Sequence, residues 1–199
     1  MDEKTSITVV INKLESLFSK LNVDLFNNQL PKPIITVSPD TTKGAYGWCT
    51  SRKVWQDKDE QEYYEINLCA EHLNREYNEI CSTLIHEMIH LENLELNIKD
   101  TSRAGTYHNK KFKVAAESHG MIVEETSYGW SRTSLTEKLK ELINSYGKMD
   151  FTLYRSKFTN PSKKSSTRRY VCPSCGIVIR ATKEVRIICS DCDIELIND

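Results

Sequence analysis

Between residues 6 and 26 apolar side chains recur at three- and four-residue steps, at Ile7, Val10, Ile11, Leu14, Leu17, Phe18 and Leu21. That period predicts an amphipathic helix with Ser6 as its N-cap. Pro31 and Pro33 stop any continuation, and the β-branched run Ile34-Ile-Thr-Val-Ser38 predicts a strand. Residues 43–50, 53–56 and 65–69 give further strand pieces, separated by the polar run from Asp57 to Glu62, and together they predict a small antiparallel sheet. The helical period returns at Tyr77, Ile80, Cys81, Leu84, Ile85, Met88 and Leu91 and fades near Asn97. A connecting segment, residues 98–107, leads to a short helix carrying Phe112, Ala115 and Ala116, with Gly120 at its C′ position. Tyr128-Gly-Trp-Ser131 reads as a turn, and the capping box Ser134-x-x-Glu137 opens a last helix through Leu135, Leu139, Leu142 and Ile143 to about Tyr146.

Beyond Asp150 the periodicity gives way to Pro, Ser and Thr mixed with Arg155, Lys157, Lys163, Lys164, Arg168 and Arg169, without one acidic residue up to Arg169. This is a basic linker. Tyr170-Val-Cys-Pro-Ser-Cys-Gly176 and Ile187-Ile-Cys-Ser-Asp-Cys192 then form two knuckles joined by short β-prone pieces. The pattern predicts an α+β domain over residues 1–149, with helices packed on a small, mainly antiparallel sheet, then a linker over 150–169 and a small module over 170–199.

Composition narrows the class. Hydrophobic residues make up 39% of the 199 and charged ones 28%, the balance of an ordinary globular chain. No apolar run approaches the roughly 18–20 residues that span a bilayer, and the Met-Asp-Glu-Lys start lacks the basic and apolar regions of a signal peptide. A soluble, cytoplasmic protein with no membrane partner is expected. The net charge of −1 is unevenly spread: residues 1–150 carry 18 Lys and Arg against 23 Asp and Glu, residues 151–199 carry 9 against 5. Of the seven cysteines, Cys172, Cys175, Cys189 and Cys192 fall in two Cys-x-x-Cys pairs, the spacing of a closed, tetrahedral structural Zn²⁺ site. So small a module buries little, and the metal is expected to supply much of its folding energy. Cys49, Cys69 and Cys81 sit inside apolar patterns and read as small buried hydrophobes.

The second helix carries the chemistry. It contains His86-Glu87-x-x-His90, and residues four apart on a helix lie above one another, so both imidazoles can reach one Zn²⁺ with Glu87 beside it. Such a metal brings the pKa of its water to about 7, and a neighbouring carboxylate can take the proton as the water attacks a peptide carbonyl. A catalytic zinc needs a third protein ligand, for which His72, His108, Glu117 and His119 are candidates. The metzincin pattern would place a histidine where Leu96 stands, which excludes that subclass. His108 is favoured because it stands at the start of the short helix, in a Gly-x-Tyr-His-x-x-x-Phe setting. Tyr107 and His119 are candidates for stabilising an oxyanion. A sheet edge beside the helix, at residues 65–69 or 46–49, would let an extended substrate add as a strand.

Leu25-Phe-Asn-Asn-Gln-Leu-Pro31, Ala45-Tyr-Gly-Trp48, Ile66-Asn-Leu68, His86-Glu-Met-Ile-His90 and Gly105-x-x-His108-x-x-x-Phe112 together resemble the SprT family of metallopeptidases, which includes the Spartan proteases. The likeness spans residues 8 to 120, and the Cys-x-x-Cys ribbon is similar to that of bacterial SprT-like members. It implies a zincin-like protease domain with His86, His90 and His108 as zinc ligands and Glu87 as the catalytic base. The family's third histidine is commonly followed by Gly, where this chain has Asn109; His119 has its Gly but lacks the Phe four residues on. The residues themselves call for two zinc ions, one catalytic and one structural, and the basic run from Arg155 to Arg169, with Phe158 and Tyr170 nearby in sequence, suits phosphate contacts and base stacking. The likeness adds a protein substrate and DNA as a partner through the basic linker and ribbon. Two other expectations stand beside it: a peptidase for one regulatory protein without DNA dependence, and a zinc-containing nucleic-acid-binding protein without catalysis.

Overall fold

The computed structural model describes residues 6–40, 44–147, 149–151, 153–156 and 167–198, and the chain divides into two compact units, residues 1–156 and 157–199. In the first, helix α1 (Ile7–Phe26) starts on Ser6, whose hydroxyl accepts the Thr8 N–H at 3.2 Å. It ends at Asn27 in the left-handed region, and buried Asn22 then clamps the turn through two hydrogen bonds to the Leu30 backbone. Strand β1 (Ile34–Ser38) follows the two prolines. Next come β2 (Gly47–Cys49), a hairpin of β3 (Trp55–Gln56) and β4 (Glu62–Tyr63), and β5 (Glu65–Cys69).

The sheet beside the second helix departs from the antiparallel expectation. Its order is β1-β5-β2, with β1 and β5 parallel and β2 antiparallel to β5. The hairpin returns the chain so that β5 inserts between the two earlier strands, opposite in direction to β2 and therefore along β1. Strand residues announce themselves by side-chain type, but the neighbour each takes is decided by this non-local return. As the central strand, β5 buries Ile66, Asn67, Leu68 and Cys69 in one unbroken run.

Helix α2 (Tyr77–Glu95) opens on a capping box between Glu76 and Glu79. It is buried well beyond one stripe, because the sheet covers one side, while α3 (Lys110–Ser118) and strand β9 (Gly129–Leu135) pack on it as well. Two short strands, β6 (Thr101–Ser102) and β7 (Tyr107–His108), join β9 and β8 (Met121–Thr126) in a second sheet of order β6-β7-β9-β8. The β8–β9 hairpin escaped the sequence reading, although Met121 and Val123 are buried and Ile122 and Glu124 exposed, the alternation of a half-buried strand. Its presence moves the next cap. Ser134 is paired with Ile122 inside the hairpin, so α4 (Glu137–Ser145) starts on Thr136, whose hydroxyl accepts the Leu139 N–H.

Residues 149–151 and 153–156 belong to the first unit. Met149, Phe151 and Leu153 pack on its core, and the Arg155 N–H donates to the Ala70 carbonyl at 2.9 Å while its guanidinium meets Glu71. Among the described residues, no helix is long and apolar enough to cross a membrane.

The second unit holds β10 (Arg168–Val171) between β11 (Val178–Ala181) and β14 (Ile197–Asn198), with β12 (Ile188–Cys189) paired to β13 (Ile194–Glu195). Its buried apolar cluster is Tyr170, Cys172, Cys189 and Leu196. Most of the expected linker, including Phe158, Lys163 and Lys164, lies outside the described residues, as does Lys43 at the start of one predicted strand.

Candidate metal centre

Helix α2 stacks His86 over His90, and β7 brings His108 to face them. The three Nε2 atoms lie 3.1 to 3.2 Å from one another. Zinc bound tetrahedrally at about 2.0–2.1 Å would set such nitrogens about 3.3–3.4 Å apart, so these residues fit that ion with little adjustment. No fourth His, Cys, Asp or Glu joins the group among the described residues. Phe112, fully buried on α3, lies with its ring centre 4.5 Å from that of His86 and 4.7 Å from those of His90 and His108. It forms a common floor under the three rings, which gives the Phe four residues after His108 its physical reason. Burial, reinforced by the neighbouring imidazoles, holds His86 well below its ordinary pKa and His108 down to about 4. Both are neutral at pH 7, as metal binding requires.

The outer nitrogens differ in their partners. His90 Nδ1 meets Asp100 Oδ2 at 2.6 Å, and Asn93 donates to the same oxygen at 3.0 Å. His86 Nδ1 meets the Thr133 hydroxyl at 3.1 Å. His108 Nδ1 is buried with no hydrogen-bond partner among the described residues. His108 itself sits in β7 and not at the helix start: the next residue, Asn109, caps α3 by accepting the Lys111 N–H, donates its own N–H to the Asp100 carbonyl and its amide to Lys99. Asn109 thereby ties the Asp100 segment to the third histidine. Asp100 and Thr133 were missed in the sequence because each lies on a short polar stretch whose only signal is spatial.

Glu87 is buried between α2 and β2, and burial pushes its carboxyl up to about 7 against the opposing pull of His90 and of the Cys49 N–H. The close approach depends on Gly47. A Cβ there would stand 2.7 Å from the Asn67 carbonyl oxygen, 3.2 Å from Thr83 Cγ2 and 3.3 Å from Glu87 Oε1.

The other candidates are engaged elsewhere. Glu117 pairs with Lys113 on α3, His119 meets Glu92 at 2.7 Å and packs on Phe26, and His72 lies edge-on to Tyr46. Arg103 covers the Tyr107 ring. Of the two proposed substrate edges, β5 has a neighbour on each side and is excluded, whereas β2 is an edge strand. Tyr46 O and Thr50 N bond to β5, so the backbone groups of Gly47 and Cys49 turn outward, where the Cys49 N–H reaches Glu87.

In the second unit, the four thiols of Cys172, Cys175, Cys189 and Cys192 lie within 4.8 Å of one another and none is in a disulfide. Cys175 Sγ and Cys189 Sγ are 3.7 Å apart, against about 3.8 Å for thiolates on a tetrahedral zinc. The N–H groups of Cys175 and Ser174 bring the Cys172 thiol down to about 7. Gly176 and Asp193, both at positive φ, turn the knuckles so that their N–H groups bond back to Cys172 O and Cys189 O. Tyr170 is corrected as a stacking group: it is 4% exposed and its hydroxyl accepts the Val185 N–H.

Neither a curated protein nor a solved structure matches the chain. A family model does, over residues 14–133, more than half of the length and every residue of the three-histidine centre. By that match the chain belongs to the SprT-like family.

Proposed function

We propose that this protein is a zinc-dependent endopeptidase, zincin-like in arrangement, which cleaves proteins bound or crosslinked to DNA. The observation that carries the reading is the convergence of His86, His90 and His108 through Nε2 at 3.1 to 3.2 Å, with a buried carboxylate one residue after the first. Those three rings would hold the catalytic metal, and the four cysteines a structural one. When bound, the catalytic ion supplies a Lewis acid that polarises the carbonyl and makes water acidic. Glu87 accepts the proton of the attacking water at its carboxylate and hands it to the departing amine. Burial, which favours the protonated carboxyl, helps Glu87 to take up that proton. The outward backbone of β2 pairs with an extended substrate, which reads main chain more than side chain.

DNA enters through charge and resemblance. Arg155 to Arg169 form a basic run, and Arg169 stands directly opposite Arg180 in the second unit, an arrangement that suits phosphate contacts. The test is incubation of the whole chain with a DNA-binding protein, with and without single-stranded DNA, beside Glu87→Gln. Cleavage that needs Glu87 and rises with DNA is expected. Cleavage indifferent to DNA would indicate a peptidase for a particular regulator, and no cleavage under any condition a binding protein.

A further inference from the structure

The three imidazoles can present free Nε2 lone pairs to one point only if each carries its proton on Nδ1. What accepts that proton therefore matters to the site, and the three rings differ in this respect. His90 has the Asp100 carboxylate at 2.6 Å, while the buried Nδ1 of His108 has no partner among the described residues. His86 faces a neutral hydroxyl, Thr133 Oγ1 at 3.1 Å, which is able either to accept or to donate. Were it to donate, Nε2 would carry the proton and point it at the other two nitrogens.

Strand β9 is braced so that this hydroxyl cannot drift. The Thr133 carbonyl accepts a hydrogen bond from Ser82 Oγ at 3.3 Å, one turn before His86 on α2, and the residue pairs with Val123 in the hairpin. The other end of the same strand holds His108. The His108 N–H donates to the Tyr128 carbonyl at 2.9 Å, and Gly129, at φ +75°, lies so close that an added Cβ would fall 2.1 Å from the His108 carbonyl oxygen. One strand thus sets both the backbone of the third histidine and the ring of the first.

Resting on the reading of His86, His90 and His108 as metal ligands, we infer that Thr133 is a positioning residue of the centre: its hydroxyl accepts the His86 Nδ1–H and so fixes that ring as the tautomer whose Nε2 can bind a metal. Thr133→Val keeps the volume and the β-branch that suit a strand but removes the acceptor. Thr133→Ser keeps the acceptor and loses only the methyl. Outer-shell partners of ligating histidines are typically worth about 10- to 100-fold in metal affinity.

The test is a zinc titration of the full chain against a competing chelator, with the histidine site identified as the one abolished by His90→Ala. Thermal melts of the metal-free chains and the ¹⁵N signature of the His86 tautomer accompany it. Thr133→Val is expected to weaken that site about 10- to 100-fold and to mix the His86 tautomers, with Thr133→Ser within about threefold of wild type. Should Thr133→Val prove poorly folded, Thr133→Ala serves in its place and is expected to show the same loss. Affinity unchanged in Thr133→Val, or equal losses in Val and Ser, overturns the inference while leaving the metal centre standing. A wild-type chain that binds one zinc only, lost with Cys172→Ser, overturns the centre itself and this inference with it.

Discussion

Asp100 Oδ2 lies 2.6 Å from His90 Nδ1 and accepts a second hydrogen bond from Asn93, so one buried carboxylate oxygen orients the second histidine of the helix from outside the triad. Burial alone would raise the Asp100 pKa, but these hydrogen bonds outweigh it and hold the group below the ordinary carboxylate range.

Two consequences can be measured. Asp100→Asn should weaken zinc binding at the histidine site by about 10- to 100-fold in a chelator competition. In the metal-free chain, a carboxyl that is more acidic folded than unfolded adds stability above its unfolded pKa of about 3.9, and loses it as pH falls through the lower folded value. The melting temperature of Asp100→Asn should therefore lie below that of wild type at pH 6, with the gap closing towards pH 3.

Glu87 has the opposite sign. Its folded pKa of about 7 exceeds the unfolded one, so the contribution of Glu87 to the stability of the metal-free chain falls as pH rises from about 4.5 to 7 and then levels off. Metal-free Glu87→Gln lacks that contribution, so its stability relative to wild type should rise by on the order of 3 kcal/mol between about pH 4.5 and pH 8 in denaturant unfolding. Proteolysis should vanish in the same variant while zinc content stays at the wild-type value.

Gly47→Ala should remove activity and leave the metal in place. The added Cβ meets the Asn67 backbone at 2.7 Å, which cannot yield as a flexible side chain could, so β2 must shift away from Glu87. Overpacking of this kind costs about 1–3 kcal/mol. The check is a peptide-cleavage assay paired with metal analysis; activity near wild type would show that the β2–Glu87 approach is unimportant.

Cys172→Ser should release one zinc and unfold residues 167–198 without lowering the melting temperature of the first unit. Among the described residues, the second unit's buried apolar cluster is Tyr170, Cys172, Cys189 and Leu196, too little to fold without the ion. Limited proteolysis with zinc counting distinguishes this from a ribbon that persists without metal.

How far the sequence revealed this molecule depended on whether a signal was local. The α1 helix with its Ser6 cap, β1, the extent of α2 and the Gly120 stop of α3 all rest on periodicity or on a single residue's backbone preference, and all are found. The parallel pairing of β1 with β5 and the shift of the α4 cap from Ser134 to Thr136 depend on which strand lies next to which, and no local pattern carries that. The candidate site divides in the same way. His86 and His90 are one helical turn apart and the Gly-x-Tyr-His-x-x-x-Phe setting favours His108, but that His108 faces them from β7 and not from the helix start is spatial and has no local signal. Asp100 and Thr133 reach the site from two different strand regions and have no spacing of their own.

Because a single phenyl group lies against all three imidazoles, its loss would withdraw one support from every ring at once. Truncation at Phe112 should therefore loosen the donor set as a whole and not one nitrogen of it.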